Sequence, residues 1–223
     1  MKKFFKILGL GCLGIIVIFV IGGIVVGIFT SNIDSEKPSS SLEKEKSKKI
    51  DSVEIKRNLR IKDSLSDARI KRKEEALKIL KSFKKKEDEF EGTAFYRDSR
   101  TPYYTNVNFI YPYIGQKGNS YWLRLRFQYA SEDWLFIKNG ILLIDGDKFT
   151  INGNWKRDNN SNIWEWLDTQ VGTNERVMLD RIANSKVAKI RYEGTQYYKD
   201  RTITSKEKSI IRKTLEVYDS LKM

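Results

Sequence analysis

The hydrophobic pattern of the chain begins with one unbroken apolar run, ILGLGCLGIIVIFVIGGIVVGIF, from Ile7 to Phe29. These 23 residues carry no charge, and a helix of that length extends about 34 Å, enough to cross a hydrocarbon core of about 30 Å. The run therefore predicts a transmembrane helix. Because Lys2, Lys3 and Lys6 precede it, the positive-inside rule predicts a cytoplasmic N-terminus with the rest of the chain outside.

Two other roles of this run stay open but fit it less well. A cleaved secretory signal has a shorter apolar region, of about 7 to 15 residues, and ends in a pair of small residues that is missing here. Lipidation of Cys12 expects leucine at the position of Gly9, and it would leave the apolar residues 13–29 in the mature protein. A transmembrane anchor is therefore the favoured interpretation.

The opening residues, KKFFKILGLGCLGIIVIFV (2–20), resemble the anchors of small single-pass bacterial envelope proteins of unknown function. This resemblance covers about the first 29 residues only. It implies a bacterial surface protein, and it brings no active site with it.

A change of pattern after the apolar run predicts a two-part connector. Residues 30–42 are rich in serine with Pro38 in their middle, which is typical of a flexible tether. Residues 43–91 contain neither proline nor glycine and alternate charges densely, which predicts one long charged helix or two. Along it runs a thin apolar stripe: Ile61, Leu65, Ala68, Ala76, Ile79 and Phe83.

The thin stripe of the connector allows three interpretations. The favoured one is a solvated spacer whose apolar edge lies against the following domain. A dimeric coiled-coil stalk would give weak self-association through the connector, but Arg72 interrupts the heptads that it needs. The basic amphipathic segment 69–86 could instead lie on an anionic membrane surface, although Glu74 and Glu75 break its basic face.

From residue 92 to residue 223 short segments with period-two alternation predict a β-rich domain. The clearest segment is Tyr121 to Tyr129, which alternates apolar side chains on one face with Arg124, Arg126 and Gln128 on the other. The strands predicted by this pattern span 89–97, 103–114, 121–129, 134–138, 141–144, 148–151, 163–167 and 187–193.

Turn and helix signals complete this prediction. Asn139-Gly140 predicts a type I′ hairpin, Asp145-Gly146-Asp147 predicts a second turn, and KRDNNSN (156–162) predicts a polar loop. Residues 173–184 predict a helix, and a loop holding Tyr197 and Tyr198 follows the last strand. Thr204 and Glu207 form a capping-box pattern that predicts a final helix to the C-terminus.

The expected fold class is thus α+β: an N-terminal transmembrane helix, a long charged helical connector, and an antiparallel sheet covered by two late helices. A β-barrel or sandwich with peripheral helices is the alternative.

The amino-acid composition excludes several kinds of chemistry. The chain has no histidine, which excludes Ser-His and Cys-His nucleophile pairs, and its single cysteine lies in the apolar run, which excludes a disulfide in the rest. The formal charge of +13 is dispersed: basic residues outnumber acidic ones by 4 to 2 in residues 1–42, 17 to 12 in 43–91 and 21 to 15 in 92–223. We therefore expect anionic lipid or wall polymers as partners rather than nucleic acid.

One set of residues is a candidate ligand-binding site. Arg124 and Arg126 point the same way from one predicted strand, and Trp164 and Trp166 point together from another. Guanidinium groups beside aromatic planes suit sugars or anionic polymers, through stacking and bidentate hydrogen bonds. The alternative places the arginines on a solvated face and the tryptophans in the core.

The acidic residues give weaker signals. Asp145, Asp147, Asn152 and Asp158 resemble a calcium loop only superficially, because Lys156 stands where an EF-hand needs glutamate. Glu165 and Asp168 are near enough in sequence to suggest a histidine-free hydrolase of envelope glycans. We expect instead a membrane-anchored extracytoplasmic binding or interaction protein without catalytic activity or cofactor, with the hydrolase and an oligomerising stalk as alternatives.

Overall fold

The computed structural model describes the backbone of residues 40–223 and the side chains of residues 53–223. The predicted anchor at 1–29 and most of the predicted tether at 30–42 lie outside the described residues. Among the helices that are described, none combines the length and the apolar character of a membrane span. Residues 51–223 form one compact unit.

Three helices and ten strands make up the described chain. The helices are α1 (Ser40–Leu80), α2 (Thr173–Asn184) and α3 (Ser205–Lys222). The strands are β1 (Lys84–Asp88), β2 (Thr93–Arg97), β3 (Phe109–Lys117), β4 (Ser120–Ser131), β5 (Asn139–Ile144), β6 (Asp147–Asn152), β7 (Lys156–Asn159), β8 (Ile163–Gln170), β9 (Ala188–Glu193) and β10 (Tyr198–Thr202).

The strands form two sheets in which every neighbouring pair is antiparallel. The larger sheet has the order β1-β2-β3-β4-β8-β7 and curls like half of a barrel, and the smaller has the order β10-β9-β5-β6. The prediction of an antiparallel β domain with late helices is confirmed. The predicted single sheet, however, is divided into two.

One hydrophobic core holds the two sheets and the helices together. The strands of the larger sheet turn one face into it, and the smaller sheet adds Leu142, Ile190 and the fully buried Tyr192. Burying each large apolar side chain contributes about 1.5–3 kcal/mol, so this cluster is the main source of stability. Its members all fall between Ala76 and Leu221, so the compact unit 51–223 contains the whole core of the described residues.

The helical connector ends earlier than predicted. Helix α1 stops at Leu80, and Lys84–Asp88 pair with β2 as an edge strand instead of continuing the helix to residue 91. The residues of β1 are all charged and all exposed, so no apolar alternation marks them as a strand. From Val53 to Glu75 the helix is exposed throughout, and only its last turns bury side chains in the domain, at Ala76 and Leu80.

The Asn139-Gly140 hairpin was predicted wrongly. Both residues belong to β5, where they pair with Asn152 and Ile151, and residues 134–138 form no strand. The type I′ turn lies instead at Asp145-Gly146, where both residues have positive φ (49° and 101°) and Ile144 faces Asp147 across the hairpin. Either pair suits such a turn, and the register with the neighbouring strands selects the second.

Two segments predicted as loops are short edge strands. Lys156–Asn159 form β7, which was predicted to be part of a polar loop, and Tyr198–Thr202 form β10, where a loop holding two tyrosines was expected. Both lie at the outer edge of a sheet and neither has a fully buried side chain. Their polar composition is thus consistent with pairing on one side and solvent on the other.

The predicted capping box of α3 is confirmed. Thr204 Oγ1 accepts a hydrogen bond from Glu207 N (3.2 Å), and Glu207 Oε2 accepts one from Thr204 N (2.8 Å). The same carboxylate is buried and accepts hydrogen bonds from Arg201 and from Ile110 N of β3 (2.8 Å). Glu207 therefore joins the start of α3 to the edge of β3 that β2 leaves unpaired.

Candidate functional site

Strand register places all four predicted site residues on one face of the larger sheet. On β4, Arg126 lies opposite Asp168 of β8, and Gln128 and Ala130 lie opposite Trp166 and Trp164. Side chains two residues apart share a face, so Arg124 and Arg126 project to the same side as the two tryptophans. The tryptophans are half-buried on this face rather than part of the core.

Arg124 is held by a compact hydrogen-bonded network. Its guanidinium contacts Asp168 Oδ1 at 2.7 Å through Nη2 and at 2.8 Å through Nε, and Nε also donates to the Tyr113 hydroxyl at 2.8 Å. Tyr113 in turn donates to the carboxylate of Asp168 at 2.8 Å. These contacts occupy both carboxylate oxygens, and they fix Arg124 against the sheet.

The hydroxyl of Tyr113 serves as a donor in this network. Burial raises the pKa of Tyr113 well above its ordinary value of 10.0, and the carboxylate of Asp168 raises it further, against a smaller opposite effect of Arg124. The hydroxyl therefore keeps its proton at neutral pH and continues to donate to Asp168. The short contacts of this carboxylate are thus with Arg124 and Tyr113.

Arg126 is in a different position from Arg124. It lies over the ring of Trp166 with its guanidinium carbon 5.6 Å from the ring centroid, and its Nη1 is 3.8 Å from Asp168 Oδ2, too far for a hydrogen bond. Its Nε is buried and has no hydrogen-bond partner among the described residues. The Arg126 side chain is 20% exposed and retains its donors.

The face that carries Arg126 forms the wall of a groove of about 930 Å³. The groove extends across strands β1 to β4, and its lining includes the aromatic residues Phe95, Tyr111 and Tyr113. Phe95 packs edge to face on Tyr113 at 5.9 Å and on Trp122 at 6.3 Å. The volume of the groove lies within the usual range of small-ligand sites, about 300–1,000 Å³.

Positive charge is concentrated along this groove. Lys84 of β1 lies directly opposite Arg97 of β2, and both line the groove together with Lys86 and Arg126. Like charges at directly opposed positions of an antiparallel pair destabilise a sheet. Two acidic residues, Glu87 and Asp88, also line the groove, and Glu87 pairs with Lys85. Among the described residues no acidic side chain forms a salt bridge with Lys84, Lys86 or Arg97.

Of the four residues predicted from the sequence, Arg126 lines the groove, whereas Arg124, Trp164 and Trp166 lie on the same face of the sheet outside its lining, and most of the groove was not predicted. The groove residues on β3 could have been found, since Tyr111 and Tyr113 alternate along a strand that the sequence does predict. Lys84, which lies opposite Arg97, could not have been found in this way, because it belongs to an edge strand that has no alternation of apolar and polar residues. Trp164 belongs to the same face but lies two residues beyond Trp166, which is the tryptophan that contacts Arg126.

The two carboxylates that suggested a hydrolase are not brought together. Glu165 is fully buried on the core face of β8, where its oxygens accept hydrogen bonds from the backbone N–H groups of Leu135 (2.9 Å), Phe136 (2.8 Å) and Ile137 (2.8 Å). Asp168 lies on the opposite face with Arg124. A pair of acids flanking one scissile bond is therefore not formed by these two residues.

Two of the four residues that resembled a calcium loop have protein partners across the fold. Asp145 accepts hydrogen bonds from the backbone N–H groups of Lys186 (3.1 Å) and Val187 (2.8 Å), and Asp147 pairs with Arg181. The hydrogen bond from Val187 is the largest influence on Asp145, and it holds the pKa of that carboxyl below its ordinary value. Within residues 53–223 no three metal-ligating side chains converge on a common point.

No protein-family model, curated protein or solved structure matches this chain. Support for a function therefore comes from the groove and from the apolar run that precedes the domain in the sequence.

Proposed function

We propose that this chain is a membrane-anchored extracytoplasmic binding protein without catalytic activity, and that its groove holds an anionic ligand of the bacterial envelope. The observation that carries the proposal is Arg126. Its guanidinium lies over the ring of Trp166 and lines the groove, Asp168 is 3.8 Å from its Nη1, and its buried Nε has no hydrogen-bond partner among the described residues. A partly buried cation with an unsatisfied donor is costly to the fold, and an oxyanion in the groove would satisfy it.

The chemistry of the groove supports an anion over a neutral ligand. The guanidinium fork matches the two oxygens of a carboxylate or phosphate, and the low exposure of Arg126 strengthens such a contact relative to one in open water. The opposed pair of Lys84 and Arg97 adds two further cations at the same groove. A ligand anion would relieve the repulsion between them.

The location comes from the sequence alone. The apolar run Ile7–Phe29 and the preceding lysines support a single span with the N-terminus in the cytoplasm and the domain outside. A domain so placed is close to anionic lipid and wall polymers, and nucleic acid is not among the partners that we propose. Protease added to intact cells should cleave the domain, and a domain that resists while a known surface protein is cut would contradict this placement.

The binding proposal is tested with polyphosphate and polygalacturonate as anionic probes for the full-length chain in detergent, by titration calorimetry. Arg126→Gln removes one charge and the guanidinium fork, so we expect binding of both probes to weaken by about tenfold to a hundredfold, the equivalent of roughly 1.5–3 kcal/mol. Lys189→Gln is the matched control, because Lys189 is exposed on the smaller sheet and lies outside the groove. It should change the affinity less than twofold. Equal effects of the two substitutions would refute a site at Arg126.

Helix α1 supports a secondary role in weak self-association. Ile61 is 49% exposed and Leu65 is 59% exposed one turn further on, and neither is covered by the described domain. Apolar residues on an otherwise charged helix could pair two copies of the chain, although Arg72 interrupts the stripe between Ala68 and Ala76.

A further inference from the structure

A loop beside the groove carries two exposed tyrosines. Residues 98–108 connect β2 to β3, and each end of this connection is fixed. At the start, buried Asp98 accepts three hydrogen bonds of 2.9 Å from Arg100, one from its backbone N–H and two from its guanidinium. At the other end, Asn108 exchanges two hydrogen bonds with the backbone of Ala130 on β4 (2.8 and 3.2 Å). We call residues 98–108 the tyrosine loop.

The tyrosine loop places an aromatic ring at the groove. Tyr103 lines the groove although it is 72% exposed, and Tyr104, 69% exposed, packs edge to face on it with ring centroids 4.9 Å apart. Lys84 Nζ donates to the backbone oxygen of Thr101 at 3.4 Å, which connects the loop to β1 across the groove. Tyrosines on an anchored loop supply rigid contact area at a low cost in side-chain entropy.

From these contacts we infer that the ligand is a glycan that carries carboxylate or phosphate groups. The inference rests on the proposed function, since Arg126 would hold the anionic group while Tyr103 stacks on a sugar ring. A simple polyanion needs cations and gains nothing from an exposed aromatic plane. An anionic bilayer is flat and would not enter a concave groove, so it is disfavoured as the ligand of this surface.

The variants separate stacking from charge. Tyr103→Ala removes the ring, and Tyr103→Phe keeps the ring while it removes the hydroxyl. Tyr197→Ala is the matched control, because Tyr197 is as exposed as Tyr103 (71% against 72%) but does not line the groove. Tyr103 makes only the contact with Tyr104 among the aromatic pairs of the described chain, so its replacement should leave the fold intact.

The experiment uses residues 51–223, which contain the core, in detergent-free buffer with four probes: polygalacturonate, neutral dextran, polyphosphate and phosphatidylglycerol vesicles. The inference expects polygalacturonate to bind most tightly, Tyr103→Ala to weaken that binding about tenfold, and Tyr103→Phe and Tyr197→Ala to stay within about threefold of the parent. Polyphosphate binding should not respond to Tyr103→Ala.

Two sets of outcomes are distinguishable. Two results of Tyr103→Ala count against the glycan: it weakens the binding of polyphosphate as much as that of polygalacturonate, or it leaves the binding of both unchanged while Arg126→Gln weakens it. Either result overturns the glycan inference and leaves the anion site standing. Vesicles binding more tightly than polygalacturonate would likewise overturn it. If Arg126→Gln changes none of the anionic probes, or no probe binds, the proposed function fails and the inference fails with it.

Discussion

Glu165 gives the sharpest test of how this domain is held together. Its carboxylate is fully buried and accepts three backbone N–H groups of the segment that precedes β5: Oε1 accepts from Leu135 and Phe136, and Oε2 accepts from Ile137. Arg157 Nε lies 3.7 Å from Oε2 and adds positive charge. This segment is not paired as a strand, so the carboxylate takes the place of a neighbouring strand as acceptor.

The expected magnitudes follow from the distribution of these bonds over the two oxygens. Glu165→Ala leaves three N–H groups without an acceptor at about 1–3 kcal/mol each, reduced by hydration of the half-exposed Phe136, so we expect a loss of about 4 kcal/mol. Glu165→Gln keeps one oxygen for Leu135 and Phe136 but turns an NH₂ group toward Ile137 N–H. We therefore expect this substitution to lower the free energy of unfolding by about 2–3 kcal/mol. Either loss is a large part of a typical stability of 5–15 kcal/mol.

The assay is urea unfolding of residues 51–223, followed by tryptophan fluorescence, with amide hydrogen exchange as a local readout. Glu216→Gln is the matched control, because Glu216 is exposed on α3 and should change stability by less than about 0.5 kcal/mol. Exchange should accelerate at Leu135, Phe136 and Ile137 first. A Glu165→Gln protein as stable as the parent, with unchanged exchange at Ile137, would refute the role of the ionised carboxylate.

Three further predictions concern other parts of the domain. Gly194→Ala should lower the free energy of unfolding of residues 51–223 in urea by about 3 kcal/mol, because a Cβ at this position would lie 1.9 Å from the backbone oxygen of Leu135. Gly92→Ala is the comparison: Gly92 has positive φ but faces open space, so its substitution should lower this free energy by about 1 kcal/mol. Burial opposes ionisation of Asp98, but the hydrogen bonds from Arg100 outweigh burial and hold the pKa of this carboxyl below its ordinary value of 3.8. The ionised carboxylate therefore contributes its full stabilisation above pH 3.8, and this stabilisation is lost as the pH falls through the lower pKa of the folded state. Asp98→Asn should accordingly be less stable than the parent at pH 7 and approach it in acid, and a difference that stays constant with pH would argue against this linkage. Sedimentation equilibrium of residues 40–223 should show weak association that Leu65→Lys abolishes, and a monomer at the highest concentration would remove the proposed role of α1.

The elements that sequence reasoning predicted well are those whose pattern reports burial on one side. Helix α2 has the predicted bounds of 173–184, and α3 begins at the predicted capping box. The alternation of β4 was correct for both faces, with Leu125 in the core and Arg124 and Arg126 on the opposite, partly exposed face, where Arg126 lines the groove. A central strand or an amphipathic helix repeats its environment over several residues, so its period is visible in the sequence.

The elements that were missed lie at sheet edges. Strands β1, β7 and β10 have no buried side chain, so neither apolar run nor alternation identifies them. Their existence depends on a neighbouring strand with open hydrogen-bonding groups, which is a property of the assembled sheet. The groove was therefore only partly predictable, because Lys84 reaches it from one of these edges and the tyrosine loop reaches it from a connection.

The two acidic residues of β8 explain why the groove keeps a cation available. Glu165 and Asp168 are three residues apart, which places them on opposite faces of the strand. Glu165 is committed to the backbone of the core side, and Asp168 is committed to Arg124 and Tyr113 on the groove side. Arg126 lies directly opposite Asp168, yet its Nη1 is 3.8 Å from Oδ2, whereas Arg124 and Tyr113 contact the carboxylate at 2.7–2.8 Å. Tyr113→Phe removes the hydroxyl that donates to Oδ2, so Arg126 should close on Asp168, and anion binding should weaken although no charge has been removed. Loss of a hydroxyl outside the groove, as in Tyr197→Phe, should leave the affinity for polyphosphate unchanged.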